Sequence, residues 1–523
     1  MLPCTHVLFT LLLALMTQQS TRRRLLASLA FLVRCFFRRV EVTGLENIPK
    51  EGGGVLVSWH PNGLVDPALI VTQFPRIVVF GARHGLFQFP ILGRFLRALD
   101  TVPIHRAIDR SKMSNKGRQA ANATALDALA QAVAQGSYAC LFPEGDSHDR
   151  PHLLTLRTGA ARFYYRARQL QPTDAPPPVI LPVGLHYDHK RSFRSSVLVA
   201  FHPPVEIPAE LDQTPGPDVP ATVQKDRATA LTDVINQSLH QVVHATESWE
   251  LHHQMHRARK AVRAERSHRA GAQLNKPDME ERTLGFARVW AGYYAGLEST
   301  PEVVVDMRNQ LAAYDETMRD LNIEDHELDR NPRLGSPWLP VILLGQVALV
   351  FLLMPPVLLV GYVINLPPII GLWLLTKLTA QKRKDEATIK LLFGTIAFPI
   401  TWIAAWFLTV RVHTRLHELF PTIPNTPMMG AFTIVLLGIE GGLLALRYLR
   451  FAKETVRALR VRWTRSQRKT TLEHLRQERA RLHDEMIALA EGVPLPGRVR
   501  ADGRVVSETQ SARKDATDPT TRT

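Results

Sequence analysis

Residues 54–67 read GVLVSWHPNGLVDP. The apolar, β-type run Val55-Leu56-Val57 ends in a polar turn that holds one histidine and one aspartate, His60 and Asp66, ahead of a helical pattern. Outward from this stretch, further β-type runs recur up to residue 208: IVVF, TVPI, YACLF, VILPVG and SVLVAF, with helical patterns between several of them. Such alternation predicts an α/β domain over residues 40–208, with a mixed, largely parallel sheet flanked by helices. Ligands of such sheets meet the loops at the carboxyl ends of the strands. The unusual polar residues of this chain stand at those ends.

The first polar turn pairs His60 with Asp66. A neutral histidine takes up a hydroxyl proton when a carboxylate fixes its tautomer and stabilises the imidazolium. The second, PEGDSHDR at 143–150, follows the run Tyr138 to Phe142. There Gly145 permits close backbone approach, and Glu144 either accepts hydrogen bonds from a polyol or orients the loop. The third, TVPIHR at 101–106, delivers the Arg106 guanidinium after a strand, a group suited to bidentate phosphate recognition. Each also has an ordinary reading, as turn and cap residues or as a surface arginine. Two acidic-histidine clusters at two strand ends are less easily read that way.

The chain has 523 residues, 45% of them hydrophobic and 21% charged, which is too apolar for a disordered protein and long enough for several units. Lys and Arg number 64 against 48 Asp and Glu, a formal net charge of +16. That balance points to a polyanionic partner, nucleic acid or an anionic lipid surface. No basic motif with interleaved aromatic residues speaks for nucleic acid. The three cysteines, Cys4, Cys35 and Cys140, are far apart, so neither a thiolate metal site nor a disulfide framework is expected.

Membrane integration follows from residues 335–452. From Leu339 to Leu378 the chain is almost wholly apolar, with Gln346, Asn365 and Lys377 the strongly polar exceptions. About 20 apolar residues cross a bilayer, so this stretch has room for two passes, and Pro355-Pro356 and Pro367-Pro368 are expected to break or kink a helix there. Leu391 to Val412 and Met428 to Leu449 are further candidates, giving three or four crossings. Glu440 in the last is expected to face a neighbouring helix or the interface. Lys and Arg cluster before Leu339, at 382–384 and after Arg450, which argues for a multi-pass protein with its globular domain on the cytoplasmic face. Residues 1–39 read as membrane-associated helices. The run from Leu25 to Phe37, followed by Arg38-Arg39, suits an interfacial position.

Residues 209–334 read as helical, with His240, His244, His252, His253 and His256 on a solvated surface. Two pairs fall at i, i+4, but no third ligand stands beside them, so no metal is expected. Residues 453–490 form a charged helix, and 491–523 are expected to be a disordered tail.

Taken together, WHPNGLVDP, TVPIHR, LFPEGDSHDRPHLLTLRTGAAR and VILPVGLHYDHKRSFRSSVLVAF resemble, in order and spacing, the motifs of the phospholipid/glycerol acyltransferase superfamily. The likeness is greatest to the membrane-bound fungal-type glycerol-3-phosphate or dihydroxyacetone-phosphate acyltransferases. It implies transfer of a fatty acyl group from acyl-CoA or acyl carrier protein to a phosphorylated glycerol acceptor in phospholipid biosynthesis, among membrane phospholipids and without a metal or other cofactor. By the same likeness His60 is the general base and Asp66 its orienting partner, while Arg106, Glu144, Gly145 and Arg157 serve the acceptor and its phosphate. Pro182 and Val183 lie in the last motif. The superfamily's usual spacing has four residues between histidine and aspartate, whereas five separate His60 from Asp66 here. Arg157 stands where lysine is frequent. Other readings are a 1-acylglycerol-3-phosphate acyltransferase, a transacylase, and a non-catalytic lipid-binding membrane protein.

Overall fold

The computed structural model describes residues 3–105, 114–213, 219–272, 275–329, 339–379 and 386–508. The chain divides into two compact units, Met1–His252 with Arg383–Thr388, and His253–Lys382 with Ile389–Thr523.

The first unit opens with α1 (Pro3–Phe36), a single helix where separate helical stretches are expected from the sequence. Arg22-Arg23-Arg24 lie inside it, and the Arg22 guanidinium donates to the Val78 carbonyl at 3.0 Å. There follow β1 (Arg39–Thr43), β2 (Gly54–Ser58), α2 (Val65–Gln73), β3 (Val78–Arg83), α3 (Pro90–Ala98), β4 (Val102–Ile104), α4 (Asn115–Ala134), β5 (Tyr138–Leu141), α5 (Gly159–Gln169), β6 (Val179–Tyr187), β7 (Ser196–Phe201) and α6 (Ala221–Val243). The strands form one seven-stranded sheet in the order β1-β7-β6-β2-β5-β3-β4. Every pairing is parallel except β6 with β7, so the sheet is the mixed, largely parallel one expected.

β2 lies between β5 and β6, with Leu56 opposite Cys140 on one side and Leu181 on the other. All five of its residues are buried, which is why its sequence is a continuous apolar run rather than an alternation. The core beneath it joins Val55 and Val57 to Leu129 and Val133 of α4, Phe163 and Tyr164 of α5, and Leu231 and Ile235 of α6. Each such side chain contributes roughly 1.5–3 kcal/mol by leaving water. Because β2, β3, β4, β5 and β6 run parallel, their carboxyl ends open on one edge of the sheet.

The remaining elements are helical: α7 (Trp249–Arg269), α8 (Met279–Ser299), α9 (Pro301–Asp320), α10 (Asp325–Leu328), α11 (Leu339–Ala348), α12 (Met354–Thr379), α13 (Glu386–Leu419), α14 (Pro427–Gln467) and α15 (Lys469–Leu489). A hairpin of β8 (Arg498–Val499) and β9 (Val505–Val506) follows. Three helices among the described residues are long and apolar enough to cross a membrane: Leu358–Leu378, Glu386–Leu419 and Pro427–Arg465. Leu339 to Leu378 holds one such helix and the shorter apolar helix Leu344–Leu353. Pro367 and Pro368 sit inside α12 without ending it. Proline's fixed φ is already helical, and a membrane bundle tolerates the missing N–H.

Residues 498–506 correct the expectation of a disordered tail from 491 onward, since Arg500–Gly503 forms the turn of a hairpin, with Gly503 at φ +81°, and Arg288 donates to the carbonyls of Pro496 and Gly497 at 3.1 and 3.0 Å. Residues 509–523 lie outside the described residues. The charged helix α15 buries one of its cations. Arg479 is fully enclosed, paired to Glu265 at 2.9 Å and to Asp329 at 2.8 Å.

Candidate active site

The chain leaves β2 at Ser58 and turns before α2 begins at Val65. Ser58 Oγ closes the end of the strand by donating to the Val183 carbonyl at 2.8 Å. Trp59 Nε1 donates to the Leu185 carbonyl at 3.1 Å, anchoring the next residue to β6. The turn therefore leaves the sheet with its first residues held, and His60 is the next one out.

His60 Nδ1 lies 2.8 Å from Asp66 Oδ2. The same oxygen accepts the backbone N–H of Asn62 at 2.7 Å. Asp66 has no exposed side-chain surface and sits in the first turn of α2, where the helix N-terminus favours its charge. A carboxylate only accepts hydrogen bonds, so the proton between the pair belongs to Nδ1 and the lone pair of His60 is on Nε2. The imidazole is 15% exposed, enough for Nε2 to be reached. Its other face stacks on Phe142, with ring centroids 4.0 Å apart. The five-residue gap between His60 and Asp66 is thus compatible with direct contact.

Glu144 stands on the neighbouring loop, beyond β5. Its carboxylate has no exposed surface. Oε1 accepts the backbone N–H of His60 at 2.9 Å, and Oε2 accepts that of Leu154 at 2.7 Å. His148 Nε2 is 2.5 Å from Oε2, while His148 Nδ1 accepts the Arg150 N–H at 3.2 Å, so the ring proton is on the side facing Glu144. Of the two roles read for Glu144, ligand contact and loop orientation, this geometry supports the second. The carboxylate ties three loop segments together and fixes the backbone of His60.

Gly145 has φ +73°, the left-handed region where a side chain is strained. A Cβ there would also come within 2.9–3.0 Å of the Arg157 guanidinium. The glycine thus lets Arg157, an exposed cation, lie across the loop beside Glu144. Pro182 and Val183 are interior positions of β6, paired with Val57 and Ser58 of β2. Arg106 lies outside the described residues; His105 before it is held at the end of β4 by two hydrogen bonds of 2.8 Å with Asn122.

Sequence reasoning missed Tyr187. Its hydroxyl donates to Asp66 Oδ1, and desolvation together with the Asp66 charge pushes the phenol well above its ordinary pKa. The signal was the alternation of β6, in which Val183, Leu185 and Tyr187 share a face. Cys140, on β5, is buried, and desolvation reinforced by Asp66 raises its thiol, which is thereby kept neutral. Among the described residues no group of three His, Cys, Asp or Glu side chains is arranged to hold a metal ion.

Residues 39–186 match the acyltransferase family, and residues 273–493 match the glycerol-3-phosphate acyltransferase 2 C-terminal domain. The chain is 24% identical over 263 residues to an uncharacterized acyltransferase of Schizosaccharomyces pombe, a match covering 35% of this chain and 38% of the relative. It is 29% identical over 190 residues to glycerol-3-phosphate O-acyltransferase 1 of Saccharomyces cerevisiae, covering 36% of this chain and 23% of that one. The chain thus spans well under half the length of these curated relatives. Among solved structures, the 1-acyl-sn-glycerophosphate (LPA) acyltransferase of Thermotoga maritima aligns with 19% identity and a TM-score of 0.27, over 42% of this chain and 81% of that one. With an acyltransferase-family match at 39–186 and a match to the glycerol-3-phosphate acyltransferase 2 C-terminal domain at 273–493, the chain carries an acyltransferase domain and resembles the yeast glycerol-3-phosphate acyltransferases.

Proposed function

We propose that the protein is a glycerolipid O-acyltransferase that moves a fatty acyl group from a thioester, acyl-CoA or acyl carrier protein, to a hydroxyl of glycerol 3-phosphate or dihydroxyacetone phosphate. The observation that carries this reading is the His60–Asp66 contact of 2.8 Å at the carboxyl end of β2, with Nε2 free to take a proton. The acceptor oxygen attacks the thioester carbonyl as His60 Nε2 removes its proton. Collapse of the tetrahedral intermediate expels the thiolate, which recovers that proton from the imidazolium. Asp66 holds the tautomer and offsets the imidazolium charge. Such proton transfer supplies about 10²- to 10⁴-fold in rate.

The exposed Arg157, with Arg106 of the TVPIHR motif, serves the acceptor phosphate. The scheme calls for no metal, no other cofactor and no covalent acyl-enzyme. The acceptor preference is supported by the match of the C-terminal region and by the names of the yeast relatives. The helices suited to membrane crossing, the basic residues at 382–384 and after Arg450, and the positive-inside tendency support a catalytic domain on the cytoplasmic face, beside the membrane phospholipids that receive the product.

The test is a radiolabelled acyl-CoA assay on membranes carrying the wild type or His60→Ala, offering glycerol 3-phosphate, dihydroxyacetone phosphate and lysophosphatidate separately. Product from either of the first two acceptors that falls by about 10²-fold or more in His60→Ala supports the reading. Product from lysophosphatidate alone overturns the acceptor. Activity that survives His60→Ala overturns the mechanism.

A further inference from the structure

Asp66 is enclosed, and a buried carboxylate keeps its charge only where donors replace the water it has lost. Its two oxygens divide the work unequally. Oδ2 takes the Asn62 N–H and the His60 ring, and Oδ1 takes the hydroxyl of Tyr187. Tyr187 reaches that oxygen because β6 runs past the end of β2. Ser58, the last residue of β2, pairs with Val183, and the strand continues for four residues to Tyr187. The tyrosine ring is held from behind by Phe37, with centroids 6.0 Å apart.

We propose that Tyr187 is a positioning residue of this active site: by donating to Asp66 Oδ1 it holds the carboxylate against His60 and tempers the negative charge that the imidazole feels. The inference rests on the reading of His60 as the general base. The phenol is a lasting donor, since desolvation and the Asp66 charge both oppose its ionisation. Among the described residues, three further titratable groups near the pair have settled roles. Cys140 on β5 is held neutral; Glu144 is spent on the His60 and Leu154 N–H groups and on His148. Lys190, whose carbonyl takes the Asn62 side-chain N–H, has its ammonium 2.6 Å from Asp149.

The sign of the effect follows. Without the Tyr187 hydroxyl, more of the negative charge on Asp66 is available to the imidazolium, which becomes easier to form. His60 must be neutral to act as a base, so the acid limb of the kcat/KM profile moves to higher pH. The experiment compares pH profiles of wild type, Tyr187→Phe and His60→Ala in membranes, with the thermal midpoint of each and acyl-CoA and glycerol 3-phosphate as the probes. For Tyr187→Phe the expected result is an upward shift of the acid limb by about half to one pH unit, with several-fold lower kcat near pH 7 and little change in the acceptor KM. 3-Fluorotyrosine placed at 187, a stronger donor, moves the limb downward.

An unmoved limb in both variants overturns the proposal. So does a loss of rate accompanied only by a lower thermal midpoint, which marks a packing role. His60→Ala separates the two failures. If it is inactive while Tyr187→Phe keeps the wild-type profile, the positioning role alone falls. If it is active, the base assignment falls and the positioning role with it.

Discussion

Glu144 shows how geometry chooses between two readings of one residue. In the sequence it is an acid in a glycine-bearing loop at a strand end, suited either to contact a polyol or to orient the loop. In the fold it is enclosed, accepting the His60 and Leu154 N–H groups, with the His148 ring beside it. Glu144→Gln sets an amide N–H₂ against donors that need acceptors, and is expected to cost about 1–3 kcal/mol, the penalty for leaving a buried polar group unpaired. Denaturant titration of the purified protein checks this, and kcat should fall with the acceptor KM nearly unchanged. Arg157 is the opposite case, exposed and lying over Gly145. Arg157→Ala should raise the acceptor KM about 10-fold or more, with a smaller effect of Arg157→Lys, because lysine keeps the charge but not the planar fork. Steady-state kinetics with glycerol 3-phosphate checks that order.

Among the elements, the spans show polar residues put to use inside an apolar region. Asn365 Nδ2 donates to the carbonyls of Gly361 at 2.8 Å and Gly438 at 2.7 Å, and Trp402 Nε1 donates to Asn365 Oδ1 at 3.1 Å. One side chain thereby links α12, α13 and α14. The helices can approach because Gly361 faces Gly441, where a Cβ on the former would meet the backbone of the latter at 2.6 Å. Asn365→Leu is expected to destabilise the helix bundle by about 1–2 kcal/mol. Gly441→Val should do more, by driving α12 and α14 apart. Thermal unfolding in detergent micelles orders the two. Glu440, of the two settings expected for it, a helix neighbour or the interface, lies exposed on α14.

The whole molecule carries 20 histidines, and several in the first unit answer to pH rather than to catalysis. His186, at the end of β6, has its pKa driven well down by desolvation and by the charges of His244, His202 and His252. Desolvation takes His202 down to about 4 and His244 down to about 3, the latter with help from His202 and His252. These rings are neutral in the fold, whereas in the unfolded chain they titrate near 6.5. The unfolded state therefore binds more protons below that pH. Stability is full above about pH 6.5 and declines as pH falls through it toward the folded values, by about 2 kcal/mol each for His202 and His244 at pH 5. Urea titrations at pH 7.5 and 5 should show this loss, and His202→Gln should remove part of it. The solvated helical surface expected for His244 is not its setting. It caps α6 in a left-handed conformation, its ring 5.8 Å from that of His186.

Linear patterns by themselves determined the α/β architecture, the place of His60 and Asp66 at a strand end and the helices apolar enough to cross a membrane. Those features arise from local periodicity, from runs of buried strand and from the length of an apolar stretch, all of which a string preserves. The hairpin at 498–506 has a local signal of the same kind in Asp502 and Gly503, the last two residues of its turn. Tertiary structure alone decided what each polar group faces. Tyr187 meets Asp66 across 121 residues, Glu144 meets the His60 N–H across 84, and Arg479 finds Glu265 across 214. Such partners are chosen by strand register and helix packing, and the physical reason is desolvation: a polar group removed from water must find its complement wherever the fold brings one within reach.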